Sequence, residues 1–254
     1  MAAEDRVGGL ASWAPRRLPG IDRVLTPRQQ LAIALRHLDD VGFAENLTGH
    51  ITLADGDDFL VNPWGLWWAE VCAGDLLRID ADGTITEGDL DVTPAFHIHT
   101  ELHRRRPDAR VVVHNHPPFA STLAAIGELP DLVHQNSSIL AGRMVLVDDY
   151  DGEVDAPHLG AALAGLIGDA SVALLVSHGV IVTAPTIEEA VYTSVLFERT
   201  CMLHWHVRAI GNKARPIPER AQRQLQASLI ERAAPVYWHG VVRQLLAREP
   251  EVLD

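Results

Sequence analysis

The sequence predicts one α/β domain, and three observations carry that prediction. With 254 residues and 47% hydrophobic side chains, the chain can bury one large core, and its length lies near the upper limit for a single domain of this class. Short alternating apolar segments are separated by Asp- and Gly-rich turns, the pattern of paired strands. Between and after them stand longer segments with apolar residues at helical spacing, opened by capping residues.

Residues 1–25 are rich in Arg, Pro and Gly without a period and read as an extended or disordered arm. Residues 26–254 read as the single domain, with a C-terminal helical tail from about residue 215. Thr26 and Pro27 open a helix as N-cap and first residue; Leu31, Leu35 and Leu38 share one face, and Gly42 ends it. Residues 50–54, 59–62 and 76–79 alternate as strands, with Asp55-Gly56-Asp57-Asp58 and Asp80-Ala81-Asp82-Gly83 as hairpin turns, which makes this part of the sheet antiparallel. A helix over 94–105, a strand over 111–114 and a helix over 118–126 follow. Then come a short apolar segment at 144–147, a helix over 158–166 and a strand pair at 173–176 and 180–183. Thr186, with Glu189 three positions later, predicts a capping box opening a helix that runs to about residue 210. Residues 219–248 offer one or two further helices interrupted at Pro235. There is no internal repeat and no low-complexity tract.

Composition excludes several classes of function. A formal net charge of −13 argues against nucleic acid as a partner, because phosphate backbones are held by clustered Lys and Arg. The one basic cluster, Arg104-Arg105-Arg106, reads as the solvated end of a helix. The acidic run over 148–155 lacks the spacing of a calcium loop and reads as a solvated connection. No apolar run reaches the roughly eighteen residues of a membrane span, and the N-terminus lacks the apolar core of a secretion signal, so the expected location is the cytoplasm. Cys72 and Cys201 fit no disulfide framework or thiolate metal site and read as small core residues. Three of the six tryptophans, Trp64, Trp67 and Trp68, fall in one short segment, a density typical of a core or a subunit contact.

The chemistry concentrates in histidines. His114 and His116 end the apolar run Val111-Val112-Val113, and their i, i+2 spacing on an extended chain turns both rings to one side. His178 ends a second apolar run and precedes Gly179, which permits close backbone approach. With thirteen histidines in the chain a His-x-His pair alone is weak, but a third ring in the same strand-end context strengthens it. Two strand ends can thus deliver three neutral nitrogen donors to one divalent ion, the donor set of catalytic zinc and of several iron sites that keep a coordination position open. His97, His99 and His103 fall on a helix, and His204 and His206 near a helix C-terminus, where the reading is a surface or interface residue.

Together with Gly49-His50-Ile51-Thr52, Asn62-Pro63-Trp64-Gly65, Arg106-Pro107-Asp108-Ala109, Ser177-His178-Gly179 and Glu188-Glu189-Ala190, this trio resembles the class II aldolase and adducin head-domain family from about residue 26 to 210. The resemblance implies a three-layer α/β/α fold with a central, largely antiparallel sheet. It further implies a homotetramer with active sites at subunit interfaces, and a divalent metal on His114, His116 and His178: zinc first, with iron, manganese or cobalt as alternatives. The sugar-phosphate aldolases of that family place a glutamate nineteen residues before the first metal histidine; here that position is Ala95. Their phosphate-binding asparagine is replaced by His50, and their serine pair by Thr93-Pro94. Proton transfer then falls to His99, His50, a metal-bound hydroxide, or a side chain of a neighbouring subunit such as Tyr150 or Tyr192.

The leading expectation is a metal-dependent carbon–carbon lyase. It would act by retro-aldol cleavage or decarboxylation on a small unphosphorylated oxo or hydroxy acid, whose carbonyl the cation polarises toward an enediolate. The alternatives are a non-haem Fe(II) oxygenase acting on an aryl 2-oxo acid, and a non-catalytic assembly domain like that of adducin, against which the three retained histidines speak.

Overall fold

A computed structural model describes residues 19–254 other than 22, 150, 151 and 212. Most of the predicted N-terminal arm, and Tyr150, lie outside the described residues. The strands are β1 (His50–Asp55), β2 (Asp58–Val61), β3 (Leu77–Ile79), β4 (Ile85–Glu87), β5 (Val111–Asn115), β6 (Met144–Val147), β7 (Val172–Leu175) and β8 (Gly179–Ala184). They form one sheet in the order β4-β3-β2-β1-β5-β8-β7-β6, antiparallel throughout except for the β6–β7 pair.

Strand alternation divides the side chains between two layers of helices. Val111, Val113, Leu174, Val180 and Val182 face one core, which α1 (Pro27–Asp40), α3 (Pro118–Ile126), α5 (Ile187–Ala209) and α7 (Ala234–Arg248) cover. Val112, Ala173, Leu175 and Ile181 face the other, under α2 (His97–Arg105) and α4 (Pro157–Ile167), with Ile98, Leu102 and Leu163. This is the α/β/α layering expected. The α2 and α4 helices approach backbone to backbone at Gly160, where an added Cβ would sit 2.4 Å from the His97 carbonyl oxygen.

Local sequence explains most element boundaries. Thr26 accepts from the Gln29 amide at 3.3 Å while the Gln29 side chain accepts from the Thr26 amide at 3.1 Å, a complete capping box for α1. At α5 only half of the expected box forms. Thr186 caps the Glu189 amide, but the Glu189 carboxylate turns away to Arg143 at 2.5 Å. The short strand β4 follows the Asp80–Gly83 turn; three residues with little burial gave too weak an alternation to read.

Three further readings are corrected. The helix break placed at Pro235 falls earlier, in a π turn at Leu229–Ala233 between α6 (Glu219–Ser228) and α7; the wide turn leaves Pro235 in the first turn of α7, where a missing N–H is tolerated. Arg106 is buried rather than solvated, donating to the Ala170 carbonyl at 2.6 Å and pairing with Asp108 at 2.6 Å. His204 is also buried, and its Nδ1 accepts from the Asp131 amide at 2.9 Å. Of the cysteines, Cys201 lies in the core and Cys72 is half-buried. The C-terminal residues join the main core through Trp238, Val242, Leu245 and Val252, and the Asp254 carbonyl accepts from the Gly74 amide at 2.7 Å. Among the described residues no helix is long and apolar enough to cross a membrane.

Candidate active site

Strand adjacency explains how residues distant in sequence meet. Strand β8 lies between β5 and β7, with Asn115 opposite Val180, so the β7–β8 turn carrying His178 sits beside the end of β5 carrying His114 and His116. The imidazole nitrogens of His114, His116 and His178 converge within 4.8 Å of one another. Their ring centroids are 4.8 to 5.1 Å apart. Ser177 holds the turn with φ of 59°, in the left-handed region that a non-glycine residue seldom occupies. Gly179 is required next: a Cβ there would lie 2.4 Å from His116 Cδ2 and 2.6 Å from the Asn115 carbonyl oxygen.

The hydrogen bonds around two of these rings determine which nitrogen faces inward. Nδ1 of His114 lies 3.0 Å from the Val180 carbonyl, which only accepts, so Nδ1 donates and Nε2 keeps its lone pair. Nδ1 of His116 lies 2.9 Å from the Glu45 carboxylate, which again makes Nδ1 the donor. The Nε2 atom of His116 is buried with no hydrogen-bond partner, an arrangement that costs free energy unless something accepts its lone pair. Burial pushes the His114 imidazolium well below its ordinary range, with the rings of His50, His178 and His116 adding to it. Burial followed by the His116 ring brings His178 down to about 4. These groups are therefore neutral at pH 7, the form in which imidazole binds metal. The buried lone pair, the convergence and the neutral rings all fit a divalent cation.

A second group of histidines adjoins the first. In the β1–β5 pairing His50 stands opposite His114, their ring centroids 4.9 Å apart. Around His50 the backbone is held by two residues of the tryptophan-rich segment. Asn62 accepts from the Ile51 amide at 2.8 Å, and both Asn62 Nδ2 and Trp68 Nε1 donate to the Gly49 carbonyl, at 3.2 and 3.0 Å. His99 is fully buried behind His50, with its Nε2 2.5 Å from His50 Nδ1. His99 thus meets the cavity only through His50.

The cavity beside the trio measures about 390 Å³ and is lined by His50, His114, His116, His178, Trp64, Thr93, Ala95, Glu153 and Asp155, among others. Ala95 and Pro94 stand in its wall where a carboxylate and a hydroxyl could have been. No Lys or Arg is among its described lining residues. Glu153 and Asp155, from the acidic run read as a mere connection, are exposed residues at its mouth, and nothing in their spacing signals this. The tryptophans divide in role: Trp68 is wholly buried, whereas Trp64 is 55% exposed on the cavity rim. Tyr192 lies elsewhere, packed against Tyr237 at 5.1 Å between centroids.

Comparison with known proteins agrees with this architecture. The family model for the class II aldolase and adducin N-terminal domain matches residues 29–205. A 4-hydroxy-3-prenylphenylpyruvate oxygenase/4-hydroxy-3-prenylbenzoate synthase of Streptomyces roseochromogenus subsp. oscitans is 33% identical over 199 residues, covering 76% of this chain and 71% of its own. A 3,4-dihydroxyphthalate decarboxylase of Arthrobacter keyseri is 30% identical over 229 residues, covering 84% of this chain and 89% of its own. The crystal structure of an aldolase II superfamily protein from Pseudomonas syringae superposes with a TM-score of 0.80 over 91% of this chain and 98% of that one; at 24% identity this is a likeness of fold.

Proposed function

The chain belongs to the class II aldolase and adducin family, and on that premise we propose that it is a divalent-metal-dependent carbon–carbon lyase acting on a small, unphosphorylated oxo or hydroxy acid. Family membership and the decarboxylase among its relatives support cleavage next to a carbonyl or carboxylate as the reaction class. His114, His116 and His178 would hold the ion, zinc first, with iron, manganese or cobalt compatible with the same neutral donors. Bound there, the ion supplies Lewis-acid polarisation of a substrate carbonyl and stabilisation of the negative charge that develops as the bond breaks.

One observation carries the choice of substrate: the cavity has acidic residues at its mouth and no described cationic side chain in its wall. A phosphate group there would face Glu153 and Asp155 without a guanidinium or ammonium to offset its charge. The volume of about 390 Å³ suits a small molecule, and Trp64 on the rim favours one with an apolar or aromatic portion. Within the chain His50 is the group placed to take a proton from the substrate, His99 acting behind it, while Tyr150 stays a candidate from a neighbouring subunit. We place the active sites at the interfaces of a homotetramer, where Trp64 and Trp67, both half exposed on one chain, would be covered.

The test begins with metal analysis of protein purified without chelator. Turnover of 2-oxo acids, 3-hydroxy acids and ortho-hydroxylated aromatic acids is then assayed with Zn²⁺, Mn²⁺, Co²⁺ or Fe²⁺, and with a sugar phosphate as control. Cleavage of an unphosphorylated acid, unchanged without oxygen, is the expected result. Preference for the sugar phosphate, or no cleavage anywhere in the panel, would overturn the proposal. A second reading, an Fe(II) oxygenase of aryl 2-oxo acids, is favoured by Trp64 and by the oxygenase relative, and it predicts that turnover stops under anaerobic conditions.

A further inference from the structure

Behind the cavity wall, between the sheet and α2, four side chains form an unbroken hydrogen-bonded line. His50 Nδ1 meets His99 Nε2 at 2.5 Å, His99 Nδ1 meets Thr52 Oγ1 at 2.7 Å, Thr52 Oγ1 meets His103 Nε2 at 2.8 Å, and His103 Nδ1 meets the Ala109 carbonyl at 2.6 Å. All four residues are buried. The last ring is also held flat against Phe59, with centroids 4.6 Å apart and planes 13° apart.

The direction of every hydrogen in this line follows from its far end. A backbone carbonyl can only accept, so His103 Nδ1 carries the hydrogen. Burial brings His103 down to about 4, so the ring is neutral at pH 7 and its Nε2 is an acceptor. Thr52 must then donate its single hydroxyl hydrogen to His103, leaving its oxygen to accept from His99 Nδ1. Burial, then His103 and His114 as neighbours, hold His99 well below the ordinary range against the opposing pull of the Val112 backbone, so that ring has one hydrogen; with Nδ1 donating to Thr52, its Nε2 accepts from His50 Nδ1. One nitrogen of His50 remains. It is Nε2, it bears a lone pair, and His50 lines the cavity beside the trio without being one of the three rings that converge there.

We infer that His103, Thr52 and His99 are positioning residues that fix His50 as the tautomer with hydrogen on Nδ1, so that Nε2 is presented to the cavity as an acceptor for a substrate O–H. A free histidine side chain favours the other tautomer, and a ring bearing hydrogen on Nε2 would meet a substrate hydroxyl as a competing donor. Three buried side chains and one carbonyl thereby do for His50 what a single carboxylate or carbonyl does for His116 and His114. The position of Ala95 in the same wall gives this acceptor a task, because no carboxylate stands there to take it. The inference rests on the lyase reading for what His50 does, but not for which nitrogen carries its hydrogen.

Neutron diffraction on the full-length, zinc-loaded protein reads the hydrogens directly at neutral pH. The expected map places deuterium on Nδ1 of His50, His99 and His103, and a Thr52 hydroxyl pointing at His103. Deuterium on His50 Nε2, or a hydroxyl pointing at His99, would overturn the inference. As an independent check, ¹⁵N-histidine solid-state NMR of His103→Phe, which keeps the stacking surface but deletes both nitrogens, should change the His50 signal from one tautomer to two. Thr52→Ser should keep a single tautomer, and an unchanged His50 signal in His103→Phe would overturn the anchoring role. Zinc content, measured on the same samples, separates this outcome from failure of the metal reading, because His103 and Thr52 touch none of the three converging rings.

Discussion

The chain contains two sets of three histidines, and the contrast between them is that of a convergent arrangement and a linear one. His114, His116 and His178 converge on a point, with Val180 and Glu45 behind His114 and His116, and a buried Nε2 left unpaired on His116. His50, His99 and His103 run in file, and both nitrogens of His99 and of His103 are engaged. Burial lowers the basicity of rings in both sets, so that property does not distinguish them. Hydrogen-bond satisfaction does: a ring with an orphaned buried nitrogen has bonding capacity left for a ligand, whereas one with both nitrogens paired has none.

The largest expected effect breaks the first set. His116→Ala should abolish stoichiometric zinc retention, measured by elemental analysis after dialysis, while His103→Phe should retain it. Equal retention in both variants would erase the distinction between the sets.

Next comes acid. His103 falls from the ordinary value of 6.5 to about 4 on folding, so between those values the unfolded chain binds the extra proton and the folded one does not. The stability this contributes is complete above pH 6.5 and is lost as pH falls toward 4, by about 3 kcal/mol for a shift of this size. Urea unfolding of the metal-free protein across that range should show a decline to which His50, His99, His114 and His178 also contribute, and His103→Phe should make it shallower by the share of one proton.

A smaller effect is expected at Gly179. Gly179→Ala drives a methyl group into the His116 ring and the Asn115 carbonyl, and should destabilise the protein by about 2 kcal/mol, read from urea midpoints, with zinc affinity falling alongside. The mildest change is Glu45→Gln, which keeps an acceptor on His116 Nδ1 but removes its charge. About a tenfold loss of zinc affinity by competition with a chelator is expected, and no loss would mean that Glu45 orients nothing.

How much of this was readable beforehand follows from the range of the interactions. Val111-Val112-Val113-His114-Asn115-His116 announces a strand ending in two rings on one side, because alternation is a local property. His178-Gly179 is legible for the same reason, and the close packing at Gly179 gives that glycine its purpose. The histidine file was only partly legible. His99 and His103 share a helical face, but that this face lies over Thr52 and His50 depends on β1 pairing with β5, which no local pattern encodes. For the same reason His99 drew attention ahead of His50, although the folded chain gives the cavity to His50. Glu153 and Asp155 were hidden by their exposure, since an acidic loop reads alike whether it borders open solvent or a cavity mouth. Arg106 and Glu189 were misread in the opposite sense: each looked like a helix-end residue, and each reaches a distant partner instead.

The tie between His114 Nδ1 and the Val180 carbonyl joins positions 66 apart in sequence, through a strand that enters the sheet only after β7 has been made. On the ribosome, the growing polypeptide therefore has at most two of the three rings in place until the hairpin bearing His178 has emerged and docked. On the proposed metal reading, cation capture would be a timestamp on finished topology rather than its seed, and a truncated or stalled product should leave synthesis without metal.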